Sequence, residues 1–98
     1  MDREEIIARL RQHESELKAA GIVRLALFGS VARGDATPES DVDLMAEFDA
    51  AMNFTILGRV GLENRLADLL GAKVDLAHTP MMREGIRERA AGEALTVF

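Results

Sequence analysis

Apolar residues at Ile6, Ile7, Leu10 and Leu17 recur at spacings of three, four and seven among Arg, Glu, Gln and Lys. This period predicts an amphipathic helix from Asp2 to about Ala20, with Gly21 as its C-cap. Ile22, Val23, Leu25, Leu27 and Phe28 then form a β-rich run that stops at Gly29, which predicts a first strand. The segment GSVARG, Gly29 to Gly34, predicts a tight turn opening a short helix, and residues 35–40, with Thr37 and Pro38, a loop. A second strand is expected from about Val42 to Phe48, followed by a turn from Asp49 to Asn53. From Phe54 onward Val60, Leu62, Leu66, Leu69 and Leu70 mark a second long helix that ends at Gly71 and lays its apolar stripe on the sheet. Lys73 to Ala77, KVDLA, predicts a third strand, Pro80 to about Ala91 a last helix, and Leu95 to Phe98 a short terminal strand. This alternation predicts an α/β fold, a small mixed sheet of three or four strands with helices packed against it, as one domain over residues 1–98.

Composition narrows what such a domain does. A chain of 98 residues with 48% apolar composition builds one core and leaves no room for a second substrate-binding unit. Twelve basic against seventeen acidic residues give a net charge of −5, the wrong sign for gripping a nucleic-acid backbone. Zero cysteines exclude a disulfide framework, a thiolate zinc site and a cysteine nucleophile, and agree with a reducing compartment. The start, MDREEIIARL, places charges where a signal peptide needs an apolar stretch, and no run approaches the ~20 apolar residues of a membrane span. A soluble cytoplasmic protein is expected.

The candidate chemistry begins with Asp41 and Asp43. With one residue between them at the start of the second strand, they project their carboxylates from the same face of the pleat. Two such anions repel unless a cation compensates, and hard oxygen ligands suit Mg²⁺ or Mn²⁺. Taken alone, Asp-x-Asp is also compatible with a solvated turn beside a strand. Gly29 and Ser30 follow the first strand directly, where free backbone N–H groups can hold a phosphate and the Ser30 hydroxyl can cap the helix or donate to phosphate, although Gly-Ser is also a common plain turn. Asp75 lies between Val74 and Leu76 in an apolar strand, which asks either for a partner or for an edge position facing water. Arg33 can offer a forked guanidinium to a phosphate, or pair with Asp35 or Glu39.

Together, a strand, GSVARG, a loop, SDVDL, a helix and a third acid on the next strand resemble the signature of the DNA polymerase beta superfamily. Within it the chain looks most like the minimal nucleotidyltransferases, which are commonly paired with a helical HEPN-type partner in toxin–antitoxin modules. The resemblance spans nearly the whole chain, including IRERAAGEALTVF at its end. It implies a polymerase beta-like nucleotidyltransferase fold, Asp41, Asp43 and Asp75 as metal ligands and catalytic acids, and Gly29 and Ser30 on the triphosphate. It further implies two Mg²⁺ ions, with Mn²⁺ as an alternative, and ATP as substrate. The expected reaction is transfer of AMP, or another nucleotidyl group, to a hydroxyl of a HEPN-family toxin, the chain acting as antitoxin. A non-catalytic antitoxin that covers its toxin is the alternative, and modification of a small molecule ranks below both. Lacking tyrosine, the chain cannot be its own tyrosine acceptor.

Other residues carry less. His13 and His78 lack the spacing of a zinc site and are expected at the surface, although His78 lies close enough in sequence to Asp75 to touch the site. Met81 and Met82 divide between core and an exposed surface that can contact a partner, and Arg83, Arg87 and Arg89 sit among Glu84, Glu88 and Glu93 as a solvated helix face or, alternatively, a partner contact.

Overall fold

A computed structural model describes residues 2–35, 37, 39–49, 51, 55–78 and 94–98, apart from the side chain of residue 56. The chain runs α1 (Arg3–Gln12), α2 (Glu14–Ala19), β1 (Ile22–Phe28), α3 (Gly29–Arg33), β2 (Val42–Phe48), α4 (Ile56–Leu70), β3 (Val74–His78) and β4 (Leu95–Thr96). The strands form one mixed sheet in the order β3-β2-β1-β4, with β1 antiparallel to β2 and β4, and β2 parallel to β3. The expected small mixed sheet with packed helices is therefore present, and β3 and β4 are its edges. The last helix expected from Pro80 to Ala91, with Met81, Met82, Arg83, Arg87 and Arg89, lies outside the described residues.

Two local forces start and stop the helices. The Asp2 carboxylate accepts from the Glu5 N–H at 2.9 Å, and the Thr55 hydroxyl accepts from the Gly58 N–H at 3.0 Å, so both long helices open on a side-chain cap. Gly71 closes α4 in the left-handed region at φ +65°.

The single helix expected from Asp2 to Ala20 is in fact two. His13 leaves helical geometry (φ −106°, ψ 16°), and its Nδ1 lies 3.0 Å from Glu16 Oε2. The break serves two packing partners, since α1 lies against α4 while α2 lies against β1. A straight rod would have to meet both with one stripe. As it is, Ile6, Leu10 and Leu17 are all 1% exposed or less.

On α4 the stripe is narrower than expected. Leu62, Leu66 and Leu70 are buried and Leu69 partly so, but Val60 is 46% exposed. At 100° per residue Val60 stands ~200° from Leu62, on the far side of the helix.

Alternation divides the sheet. Leu25, Leu27, Val42, Leu44, Ala46, Val74 and Leu76 share one core with the buried residues of α1, α2 and α4. Burying each Leu side chain contributes roughly 1.5–3 kcal/mol. The intervening residues, Asp43 and Asp75 among them, face the other way. No helix among the described residues is long and apolar enough to cross a membrane.

Candidate active site

The site is a corner where β1 ends and β2 and β3 begin. Register places Phe28 opposite Asp43 and Asp43 opposite Asp75, so both carboxylates emerge on one face of neighbouring strands. Parallel neighbours are ~4.8 Å apart, close for two anions. Asp41 stands two residues before Asp43, at the mouth of β2, and its side chain is 42% exposed.

Gly29 closes this corner from the β1 side. Its φ is +76°, and a Cβ placed there would collide with the Asp43 carboxylate, lying 3.1 Å from Asp43 Cγ. Two independent constraints therefore require glycine: left-handed backbone, and the absence of a side chain where backbone meets carboxylate. The α3 helix then starts at Gly29 itself, with Phe28 as its N-cap and no side-chain capping bond. Ser30 thus sits inside the first turn, which corrects the first of the two roles expected of its hydroxyl, the helix cap, and leaves the second, donation to a phosphate, untouched. The cap position was already filled by extended Phe28 at the end of the strand.

Electrostatics ties the three acids together. The Asp43 carboxyl is pushed above its ordinary 3.8, first by burial, then by the charges of Asp75 and Asp41, while Arg33 opposes the rise. The Arg33 guanidinium therefore acts on the corner, although its Nε also lies 3.4 Å from Asp35 Oδ2, the pairing anticipated as its alternative role. Asp75 is exposed on the edge strand, the other placement anticipated for it. The acids are neighbours rather than a closed cage. Among the described residues no group of three or more His, Cys, Asp or Glu side chains is gathered as a set of metal ligands. Repulsion keeps like charges apart until a cation draws them in, and the all-oxygen donor chemistry fits a hard divalent ion.

Sequence patterns missed three contributors. Lys73 Nζ lies 3.9 Å from Asp41 Oδ2 on the strand-opening residue before Val74. Arg59 and Glu63 on α4 bond the backbone of Leu76, next to Asp75. The adjacency of Lys73 to VDL could have flagged the first, but no local signal announces the other two. His78 is half-buried at the far end of β3, its ring tilted 57° against that of Phe48 with 4.7 Å between centroids, and burial and then Arg59 push its pKa down.

The fold and this corner define a nucleotide-transfer class, and comparison agrees. The family model for the nucleotidyltransferase domain matches residues 5–95, and the chain belongs to that family of enzymes. It is 35% identical over 95 residues to the protein adenylyltransferase MntA of Thermococcus cleftensis, covering 96% of this chain and 94% of that protein. A solved structure assigned to the minimal nucleotidyltransferases superposes with a TM-score of 0.82 at 37% identity, covering 97% of this chain and 95% of that one. A toxin–antitoxin structure with AMP-PNP shares the fold at 20% identity and a TM-score of 0.72, over 90% of this chain and 72% of that one.

Proposed function

We propose that the chain transfers AMP from ATP to a hydroxyl group of a partner protein, a HEPN-type toxin, and so acts as its antitoxin. The observation that carries this reading is the contact of the Gly29 backbone with Asp43, which itself stands between Asp41 and Asp75. A surface that feels both a glycine turn and clustered carboxylates suits a polyphosphate and its counter-ion together. The name of the Thermococcus cleftensis relative supports the substrate class. A more distant structure of the same fold, a tri-AMPylated Shewanella oneidensis HEPN toxin in complex with MNT antitoxin, supports the partner.

Asp41, Asp43 and Asp75 would hold Mg²⁺, which supplies charge neutralisation of the phosphates and acidification of the acceptor hydroxyl. The chain's own groups do the rest. Gly29 lets the turn approach the triphosphate, Ser30 offers a hydroxyl donor beside it, and Arg33 offers a guanidinium to a phosphate oxygen. Asp75, outermost and exposed, is the carboxylate able to take the acceptor proton as the new O–P bond forms and pyrophosphate leaves. If the acceptor is a tyrosine it belongs to the partner, because this chain has none.

The test is incubation of the chain and its partner with labelled ATP and Mg²⁺. Label on the partner that disappears in Asp41→Ala is expected. A stable complex that never acquires label would instead leave only an antitoxin that covers its toxin.

A further inference from the structure

β3 is an edge strand, and edge strands expose unpaired backbone groups along their outer side. Here two of those groups are taken. The Leu76 carbonyl accepts from Arg59 Nη2 at 2.8 Å, and the Leu76 N–H donates to Glu63 Oε2 at 3.0 Å. Arg59 and Glu63 stand four residues apart on α4, so one helix face presents a donor and an acceptor to a single residue, as a further strand would. Both bonds are partly buried, and the Leu76 side chain is 1% exposed in the core. Leu76 is therefore held by its side chain and by both backbone groups, and the residue before it is Asp75.

We infer that Arg59 and Glu63 are positioning residues for Asp75: by bracketing Leu76 they fix β3 against β2 and so set the separation of the Asp75 and Asp43 carboxylates. This inference rests on the role given to Asp75 above. Neither side chain touches nucleotide or ion in this scheme. Their effect passes through the strand backbone, in the way that outer groups orient ligands elsewhere.

The opposite edge supplies an internal control. Arg11 Nε donates to the Val97 carbonyl at 2.7 Å, clamping the β4 side where none of the three acids stands. Loosening that clamp loosens the fold without moving Asp75.

The experiment measures Mn²⁺ affinity with a non-hydrolysable ATP analogue, by electron paramagnetic resonance, together with kcat and KM for ATP and the melting temperature. Glu63→Ala is expected to weaken Mn²⁺ binding about tenfold and to lower kcat with KM for ATP unchanged. Glu63→Gln, which keeps the acceptor oxygen, is expected to restore both. Arg59→Met should act in the same direction and serves where Glu63→Ala does not fold. Arg11→Ala is expected to lower the melting temperature and leave Mn²⁺ affinity alone. The inference is overturned if Asp75→Asn weakens Mn²⁺ binding while Glu63→Ala and Arg59→Met do not, or if Arg11→Ala weakens it equally. Unchanged Mn²⁺ binding in Asp75→Asn would instead remove the role of Asp75 itself, and the positioning role with it.

Discussion

Leu44 and Asp43 are adjacent in the chain and point to opposite sides of β2. Leu44 is fully buried in the core shared with the helices. Asp43 is half-buried against the Gly29 backbone, between two further carboxylates, and its proton affinity rises as a result. The period-two alternation of a strand thus separates what stabilises the molecule from what destabilises it, within two residues. One face contributes folding free energy, and the other stores repulsion of the kind that only a cation relieves. Substitutions on the two faces should therefore move stability and activity in different, partly opposite, directions.

The largest separation is expected at Asp43. Asp43→Asn removes one anion from the acid corner and should cut transfer about a thousandfold, the scale of losing one element of transition-state charge stabilisation. An initial-rate assay with labelled ATP measures it, and retained activity would detach the corner from the chemistry. Leu44→Ala should do the reverse. It leaves a cavity in the core and costs about 3 kcal/mol, read by chemical denaturation, while the remaining folded fraction keeps its specific activity.

Gly29→Ala tests the seam between the faces. The left-handed backbone alone costs ~1–2 kcal/mol with a Cβ present. The new methyl group also meets the Asp43 carboxylate. Stability and turnover should therefore fall together, unlike in either substitution above. A variant that loses stability but keeps full turnover would show that the turn's approach to Asp43 is structural only.

The comparison also explains which parts of the molecule could be read from residue order. β1 and β2 are legible almost residue for residue, because their alternating runs end at Gly29 and at the polar Asp49. The corner is legible as residue types, since Asp-x-Asp on a strand fixes a shared face. Its assembly is not, because the meeting of Asp43 with Asp75 depends on β3 lying parallel beside β2, and strand order has no local signature. The break at His13 was hidden because the seven-residue step from Leu10 to Leu17 fits one helix as well as two. The Arg59 and Glu63 bonds to Leu76 cross 17 and 13 residues and leave no periodic trace.

Protonation offers a gentler perturbation of the acid face. A carboxylate whose folded pKa is raised above its unfolded value favours folding below the unfolded value, and that contribution is lost as pH rises through the folded one. For Asp43 the unfolded value is 3.8 and the folded value lies above it. At neutral pH the ionised group therefore opposes folding, and Asp43→Asn should melt above the unchanged chain. The gap should close as pH is lowered towards 3.8, followed by circular dichroism across a pH series. A constant gap would mean that shape rather than charge separates the two.

The smallest effect is expected at Lys73, although its ammonium pairs with Asp41. Its side chain is 82% exposed and Asp41 is 42% exposed, with 3.9 Å between Nζ and Oδ2. Both groups keep much of their hydration, and ordinary salt screens what attraction remains. Lys73→Met should thus change stability by less than about 0.5 kcal/mol, a melting shift of no more than about 4 °C for a chain of this size. The shift should shrink further at high ionic strength. A loss several times larger that survives 1 M salt would show that the lysine is the counter-ion holding the acidic face together. The division between a stabilising face and a repulsive one would then have to be redrawn, with the repulsion already compensated from within the chain.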